Sequence, residues 1–571
     1  MSSKRKLVVW LPVIIALSIA LGIFIGNHYY FNTPTTTGKQ SIFSGSTNKI
    51  DAILNIINAQ YVDTVNVNNL VETAIPKIFN ELDPHSVYIT AKEAKAANED
   101  LEGSFSGIGV TFNMQTDTIL VISVISGGPA EKAGILPFDR IITINDSIFS
   151  GKKIGQANVM KSLRGEEHSH VKLGVKRGKQ EDLVYFDVTR GNVPVSSVDV
   201  AYPITKDIGY IKVSKFGRTT YGEFITAIAK LKQSGSTSFI IDLRGNTGGY
   251  MDAASNMVNE FMQEGSLIVY AEGKSFPKRE VFSNGTGTCK DAQIVVLTDE
   301  TSASASEIFA GAIQDNDRGL VIGRRTYGKA LVQAPISLSD GSEVRLTVAR
   351  YYIPSGRSIQ KTYELGKNRD YEMDLYNRFI HGEFDSADSI KVENSLKFET
   401  IGGRTVYGGG GIMPDIFIPR DTSGITSYFS TVVNNGLLYR YALEYSERNR
   451  SYLSKSKNYT ELYNYLKQQP LLESFTNYAA SNGVRKRPAL INISGSLITA
   501  QLEAYIVRNF FDDEGFYPIF HKNDETVLRA VKVLEKGKLL SFSEFVKMTS
   551  NGDLQSKAST PKGDSLSKEE L

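Results

Sequence analysis

From Val198 to Gln360 the sequence alternates short apolar runs with amphipathic stretches, and that alternation restricts the chain more than any other feature. "IGYIKVSKF" reads as a strand, and "YGEFITAIAKLKQSG" as a helix stopped by glycine. "SFIIDLRGN" is a buried strand and "MDAASNMVNEFM" a helix; "LIVYAEG" and "QIVVLTD" are strands, "SEIFAGAIQD" a helix and "GLVIG" a strand. Strands and helices in this order pack as an α/β layer structure. The chain of 571 residues is too long for one core, so roughly three or four domains are expected.

The flanking sequence has other textures. Residues 1–6 carry Lys4, Arg5 and Lys6, and residues 7–26 form a charge-free apolar run of the length that spans a bilayer as a helix. The positive-inside rule then leaves the tip in the cytoplasm and the body outside. A cleaved signal peptide is the alternative, although "NHYYFN" offers no small-x-small cleavage site. Residues 27–48 read as a polar tether and 49–102 as a helical segment. Residues 103–192 read as a small β-rich domain of hairpins, and residues 193–361 with 408–420 as the α/β core. Between those two pieces, 362–407 is a polar, tyrosine-rich insertion that could form a flap or an assembly surface. Residues 421–550 are largely helical, and 551–571 have the composition of a disordered tail.

Composition excludes several classes of function. The net charge of +2 provides no basic field for nucleic acid. A single cysteine, Cys289, rules out an intrachain disulfide framework and any cysteine-based zinc site, and no His-Glu-x-x-His motif is present. No metal or cofactor is expected.

"TSASASEIFAGAIQDNDRGLVIGRRTYGKALVQ", Thr301 to Gln333, carries the candidate chemistry. Ser304 and Glu307 fit a capping box, which alone points to a structural serine. The same geometry sets a hydroxyl beside free N–H groups able to stabilise an oxyanion. None of the six histidines falls between Val198 and Gln360, so a histidine base would have to come from another domain. Lys329, apolar on both sides, is a base candidate if burial lowers its pKa; otherwise it is a surface lysine on a strand. "GRRTYGK" has P-loop spacing but lacks the following Ser/Thr and the helix. Ser358 and Lys361 match Ser-x-x-Lys, in a stretch where Pro354 and Gly356 indicate a turn. "DLRGNTGG" ends a strand in a turn that can aim amides at an anion, and Gly107-Ile108-Gly109-Val110 could receive a peptide carboxylate.

The order of these pieces is more specific than any one of them. "LDPHSVYI", "GIGV" with "GGPAEKAGILPFDRIITIND", "DLRGNTGG", "TSASASEIFAGAIQD", "TYGKALVQ", "GRSIQ" and "GIMPDI" resemble, in sequence, the C-terminal processing (tail-specific) peptidases. The resemblance covers about residues 49 to 420. Within those bounds it implies a helical segment, a PDZ domain and a crotonase/ClpP-like α/β core; with the membrane helix and the helical C-terminal region read from the flanks, the whole is an α+β multidomain chain. It further implies Ser304 as nucleophile, Lys329 as general base and Gln333 as the residue orienting the lysine. The amides of Gly249 and Ala305 would form the oxyanion hole, and Asp315 would have a supporting, structural role. Ile108, Gly109 and Val110 would bind the substrate carboxylate. The expected partners are proteins or peptides with free C-termini and, through residues 7–26, the cytoplasmic membrane; homo-oligomerisation is left open. Thr247 stands where the family usually has proline, and the insertion and the long helical region exceed its minimal plan. The alternative is a silent scaffold that binds chain ends through the PDZ domain without turnover.

Overall fold

The computed structural model describes residues 49–547 apart from 115–117, 152–153, 179 and 538–539. The proposed membrane helix at 7–26, the tether, the cytoplasmic tip and the C-terminal tail lie outside the described residues. The chain divides into two compact units, 1–74 and 75–571. The described part of the first holds helix Lys49–Gln60, with no buried residue, and the start of helix Val67–Phe79.

The β-rich domain is a sheet of strands Val110–Asn113, Ile119–Val124, Arg140–Ile144, His170–Lys176 and Val184–Thr189 in that order, with Ser147–Ile148 hairpinned onto Arg140–Ile144. Helix Gln156–Leu163 buries Val159 and Leu163 against Ile119, Val121, Ile141 and Val171. Strand Ser104–Gly107 pairs with Gly191–Pro194, so the chain enters and leaves this domain at one place.

The α/β core is a six-stranded sheet: Val198–Pro203, Ile208–Val213, Ser238–Asp242, Gln293–Thr298, Leu320–Gly323 and Ile416–Phe417. Its first pair is antiparallel and the others are parallel. Central strands buried on both faces must be apolar throughout, which explains "SFIID" and "QIVVLT". Alternate residues Phe239, Ile241, Ile294 and Val296 face helices Thr220–Gln233, Met251–Asn259 and Ala305–Asp315. Ile240, Val295 and Leu297 face the other way, onto Val527, Ala530, Val533 and Leu534 of helix Glu525–Gly537. A helix more than a hundred residues beyond "GIMPDI" therefore completes the layers of the core.

A second sheet carries strand Leu331–Ser337, which pairs antiparallel with Glu343–Tyr352. Strand Val87–Ile89 of the "LDPHSVYI" segment also pairs with Glu343–Tyr352. The insertion contains helices Asn368–Glu372 and Asp374–Ile380 and a hairpin of Lys397–Glu399 with Thr405–Tyr407. Helices Ser427–Asn434, Leu437–Arg448, Tyr459–Leu466 and Leu471–Ser481 pack around the long helix Pro488–Phe520. That long helix is apolar and long enough to cross a membrane by length and composition. Its Ile498, Leu502, Ile506 and Val507 are nonetheless buried in the bundle core, and the helix breaks at Phe511 and Asp512.

Candidate active site

Three serines precede helix Ala305–Asp315, and tertiary contacts separate them. Ser302 Oγ donates to Leu243 O at 2.9 Å and Ser306 Oγ to Asn246 O at 2.9 Å, and both residues are fully buried. These two hydroxyls fasten the helix start to the "DLRGNTGG" turn. Ser304, between them, is half-buried and lines a cavity of about 360 Å³. It caps the helix at φ +55° and ψ −114°. Such a conformation is costly for a residue with a Cβ and persists only where the surroundings impose it.

The opposite wall of the turn requires glycine. A Cβ on Gly248 would fall 2.7 Å from the Ser304 Cβ, and one on Gly249, at φ +142°, 2.1 Å from Phe216 O. Asn246 holds the turn: its Nδ2 donates to Val213 O at 3.0 Å and its Oδ1 accepts the Gly248 N–H at 2.8 Å. Gly249 and Ala305 both line the cavity. Among the described residues neither of their N–H groups donates to a protein acceptor.

Lys329 lines the same cavity, as does Gln333. Lys329 Nζ donates to Gln333 Oε1 at 3.0 Å, and Gln333 Nε2 donates to the carbonyl of His85. A β-bulge at Val332–Gln333 bends the strand between them. Burial holds the Lys329 ammonium below the ordinary lysine range; the charges of Glu307 and Asp83 oppose this and Arg345 reinforces it. His85 does arrive from outside the α/β core. Its ring bonds to the Tyr371 hydroxyl and lies outside the cavity lining, so its carbonyl is the group that serves the lysine.

Two residues of this site were not singled out from the sequence as part of it. Glu307 is fully buried and accepts four donors: Ser304 N–H (2.8 Å) and Lys329 N–H (2.9 Å) on Oε2, and Gly328 N–H (2.7 Å) and Thr326 Oγ1 (2.5 Å) on Oε1. Burial pushes its carboxyl up to about 7, and the four donors pull against that. One carboxylate oxygen thus ties the serine segment to the lysine segment. The Tyr351 hydroxyl, 3.0 Å from Ser304 O and also against Lys329 O, makes a second tie. Glu307 was visible as a capping residue, but nothing in the sequence pairs it with residue 329.

Asp315 lies at the far end of the serine helix, outside the cavity lining. It forms a fully buried ion pair with Arg357 at 2.8 Å and accepts Ser355 Oγ at 2.5 Å. Lys361 Nζ, from the rival Ser-x-x-Lys match, is committed to Tyr371 O and Asp374, each at 3.1 Å. In the β-rich domain, Ile108 O accepts the Ala130 N–H and Gly109 O the Ile125 N–H. These bonds fix the loop leading into strand Val110–Asn113.

A serine with a strained backbone at a helix N-terminus, a half-buried lysine and two backbone amides without a protein acceptor meet at one cavity. Residues 207–373 match Peptidase family S41, 106–193 match the PDZ domain, and 428–512 match a family of unknown function. Among solved structures, the photosystem II D1 C-terminal processing protease shares 26% identity at a TM-score of 0.31, over 54% of this chain and 82% of that one. The "probable CtpA-like serine protease" of Staphylococcus aureus strain MRSA252 is 34% identical over 363 residues, 63% of this chain and 72% of that protein. Its namesake in Staphylococcus haemolyticus is 35% identical over 349 residues, 61% of this chain and 68% of that protein. The chain belongs to the CtpA-like C-terminal processing peptidases, PDZ-containing serine peptidases of family S41.

Proposed function

We propose that this protein is a membrane-anchored, extracytoplasmic endopeptidase that hydrolyses peptide bonds with a Ser304/Lys329 dyad. The observation that carries this reading is that Ser304, Lys329, Gln333 and the amides of Gly249 and Ala305 line one cavity. Neutral Lys329 takes the Ser304 hydroxyl proton as Oγ attacks the scissile carbonyl carbon. The resulting oxyanion accepts hydrogen bonds from the Gly249 and Ala305 N–H groups. Lys329 then returns the proton to the leaving amine, which departs and leaves an acyl-serine. A water deprotonated by the same lysine hydrolyses that ester. Gln333 holds the amine in place through both steps. The reaction needs Lys329 unprotonated, so the rate rises with pH through its lowered pKa.

Ile108, Gly109 and Val110 supply the amides for a substrate's terminal carboxylate, which adds its chain as a strand beside Val110–Asn113. Unfolded or exported proteins with free C-termini are the substrates. Residues 7–26 hold the protein in the cytoplasmic membrane with the catalytic body outside.

Cleavage of an unstructured substrate, with free and with amidated C-terminus, tests this on the full chain. Ser304→Ala and Lys329→Ala should each lose on the order of 10⁴-fold or more in rate while keeping the wild-type melting profile. Amidation should raise KM. Wild-type turnover by either variant would end the dyad assignment.

A further inference from the structure

The Lys329–Gln333 pair does not stand by itself; its support comes from the insertion. Gln333 Nε2 is held by the His85 carbonyl, and the His85 ring is held by Tyr371, Nε2 to hydroxyl at 2.8 Å. The two rings meet edge to face at 5.1 Å. Tyr371 comes from helix Asn368–Glu372 of the insertion, and it is 4% exposed. The same hydroxyl takes the Gln360 Nε2–H at 3.3 Å, while Gln360 Oε1 accepts the N–H of Ala330 at 2.8 Å. One phenol therefore touches two of the residues that grip the lysine segment: Gln360, which holds Ala330, and His85, which holds Gln333. The helix bearing it is fixed in turn. Lys361 Nζ sits 4.0 Å from the ring centres of Tyr327 and Tyr371, and its N–H donates to Gly328 O at 3.0 Å. Arg378 of the next helix donates to the carbonyls of Arg325 and Thr326.

We infer that Tyr371 is a positioning residue for the general base: its hydroxyl locks His85, and through the His85 carbonyl it holds Gln333 against the Lys329 amine. This rests on the reading of Lys329 as the base. It gives the insertion a definite task, bracing the lysine segment from outside the cavity. The charged and titratable groups facing Lys329 are Glu307 from the serine helix, Asp83 and His85 from the N-terminal segment, and Arg345 from strand Glu343–Tyr352. His85, pulled down to about 4 mainly by burial, is neutral at pH 7, so its ring can accept the Tyr371 proton without competing for a charge.

Tyr371→Phe keeps the ring, and with it the edge-to-face and cation–π contacts, and removes only the hydroxyl. In the full chain at pH 7, kcat should fall roughly tenfold with KM nearly unchanged, as expected for a misplaced base. The rising limb of the pH–rate profile should also move to higher pH. A loosened Gln333 admits water to Lys329, weakens its desolvation and raises its pKa, so the loss narrows as pH increases. In a His85→Phe background, Tyr371→Phe should then cost less than about threefold. A wild-type profile, an equal loss at every pH, or full additivity with His85→Phe would each overturn the inference. Lys329→Ala separates the levels: activity there defeats the dyad itself, whereas an inactive Lys329→Ala beside an unaffected Tyr371→Phe defeats only the role of Tyr371.

Discussion

Ser302, Ser304 and Ser306 are chemically identical, and the sequence places all three beside a helix start. Two carbonyls separate them. Leu243 O and Asn246 O, from a strand end sixty residues earlier, engage the outer serines and leave the middle one at the cavity. The carboxylate of Glu307 joins the backbone at that serine to the backbone at the lysine. Glu307→Gln puts an NH₂ where N–H and O–H donors converge, leaving a buried donor unpaired at a cost of about 1–3 kcal/mol. We expect kcat to fall by roughly 10²-fold as the two segments separate. The negative charge of Glu307 also raises the Lys329 pKa. Its loss lets that pKa drop further, so the residual activity of Glu307→Gln should begin to rise at lower pH than in the wild type. A pH–rate profile checks both effects.

At the scale of elements, the turn Asp242 to Gly249 brings the strongest local sequence signal and the strictest geometry together. Its two final glycines were legible as a turn able to aim amides. That a Cβ on Gly249 would strike Phe216 O was not, because Phe216 belongs to another loop. Gly249→Ala should displace the turn and with it one of the two proposed oxyanion donors, with a loss of about 10²–10³-fold in kcat and a smaller change in KM. Steady-state kinetics on one substrate decides this, since equal losses in kcat and in affinity would point to collapse of the whole cavity. The lysine strand teaches a related lesson. Lys329 and Gln333 are four residues apart, about 13 Å along a straight strand. Their pairing depends on two long side chains, a bulge, and a carbonyl from the "LDPHSVYI" segment. The residue types were readable from the motif; the bulge and the carbonyl came from cross-strand pairing and packing.

For the whole molecule, the C-terminal region is structural in a way its helical texture did not disclose. Helix Glu525–Gly537 covers the second face of the six-stranded sheet, and Asp524 pairs with Arg244 at 2.9 Å, next to the Arg244–Asp242 pair at the base of the glycine turn. Deleting the chain from Asp524 onward exposes Ile240, Val295, Leu297 and Ile322 and removes Val527, Val533 and Leu534. Losing those three side chains alone forfeits on the order of 5–9 kcal/mol, the size of a whole domain's stability. The truncated protein should lose its cooperative thermal transition and its activity together; a stable, active truncation would show that the sheet tolerates an open face. The preceding bundle also meets the PDZ domain, through Arg140–Glu447 at 2.9 Å and the packing of Leu120 and Phe138 on Leu443.

By itself the sequence determined the α/β alternation, the helix cap at Ser304, the glycine turn and the order of motifs that marks the family. These are local properties, written in periodicity, capping pattern and backbone freedom over a few residues. Only the tertiary structure decided which serine faces the cavity, which carboxylate joins it to the lysine, how the insertion reaches the lysine segment, and which distant helix closes the sheet. Those choices depend on hydrogen bonds and buried surface between segments far apart in the chain, where one sequence carries no local trace of its partners.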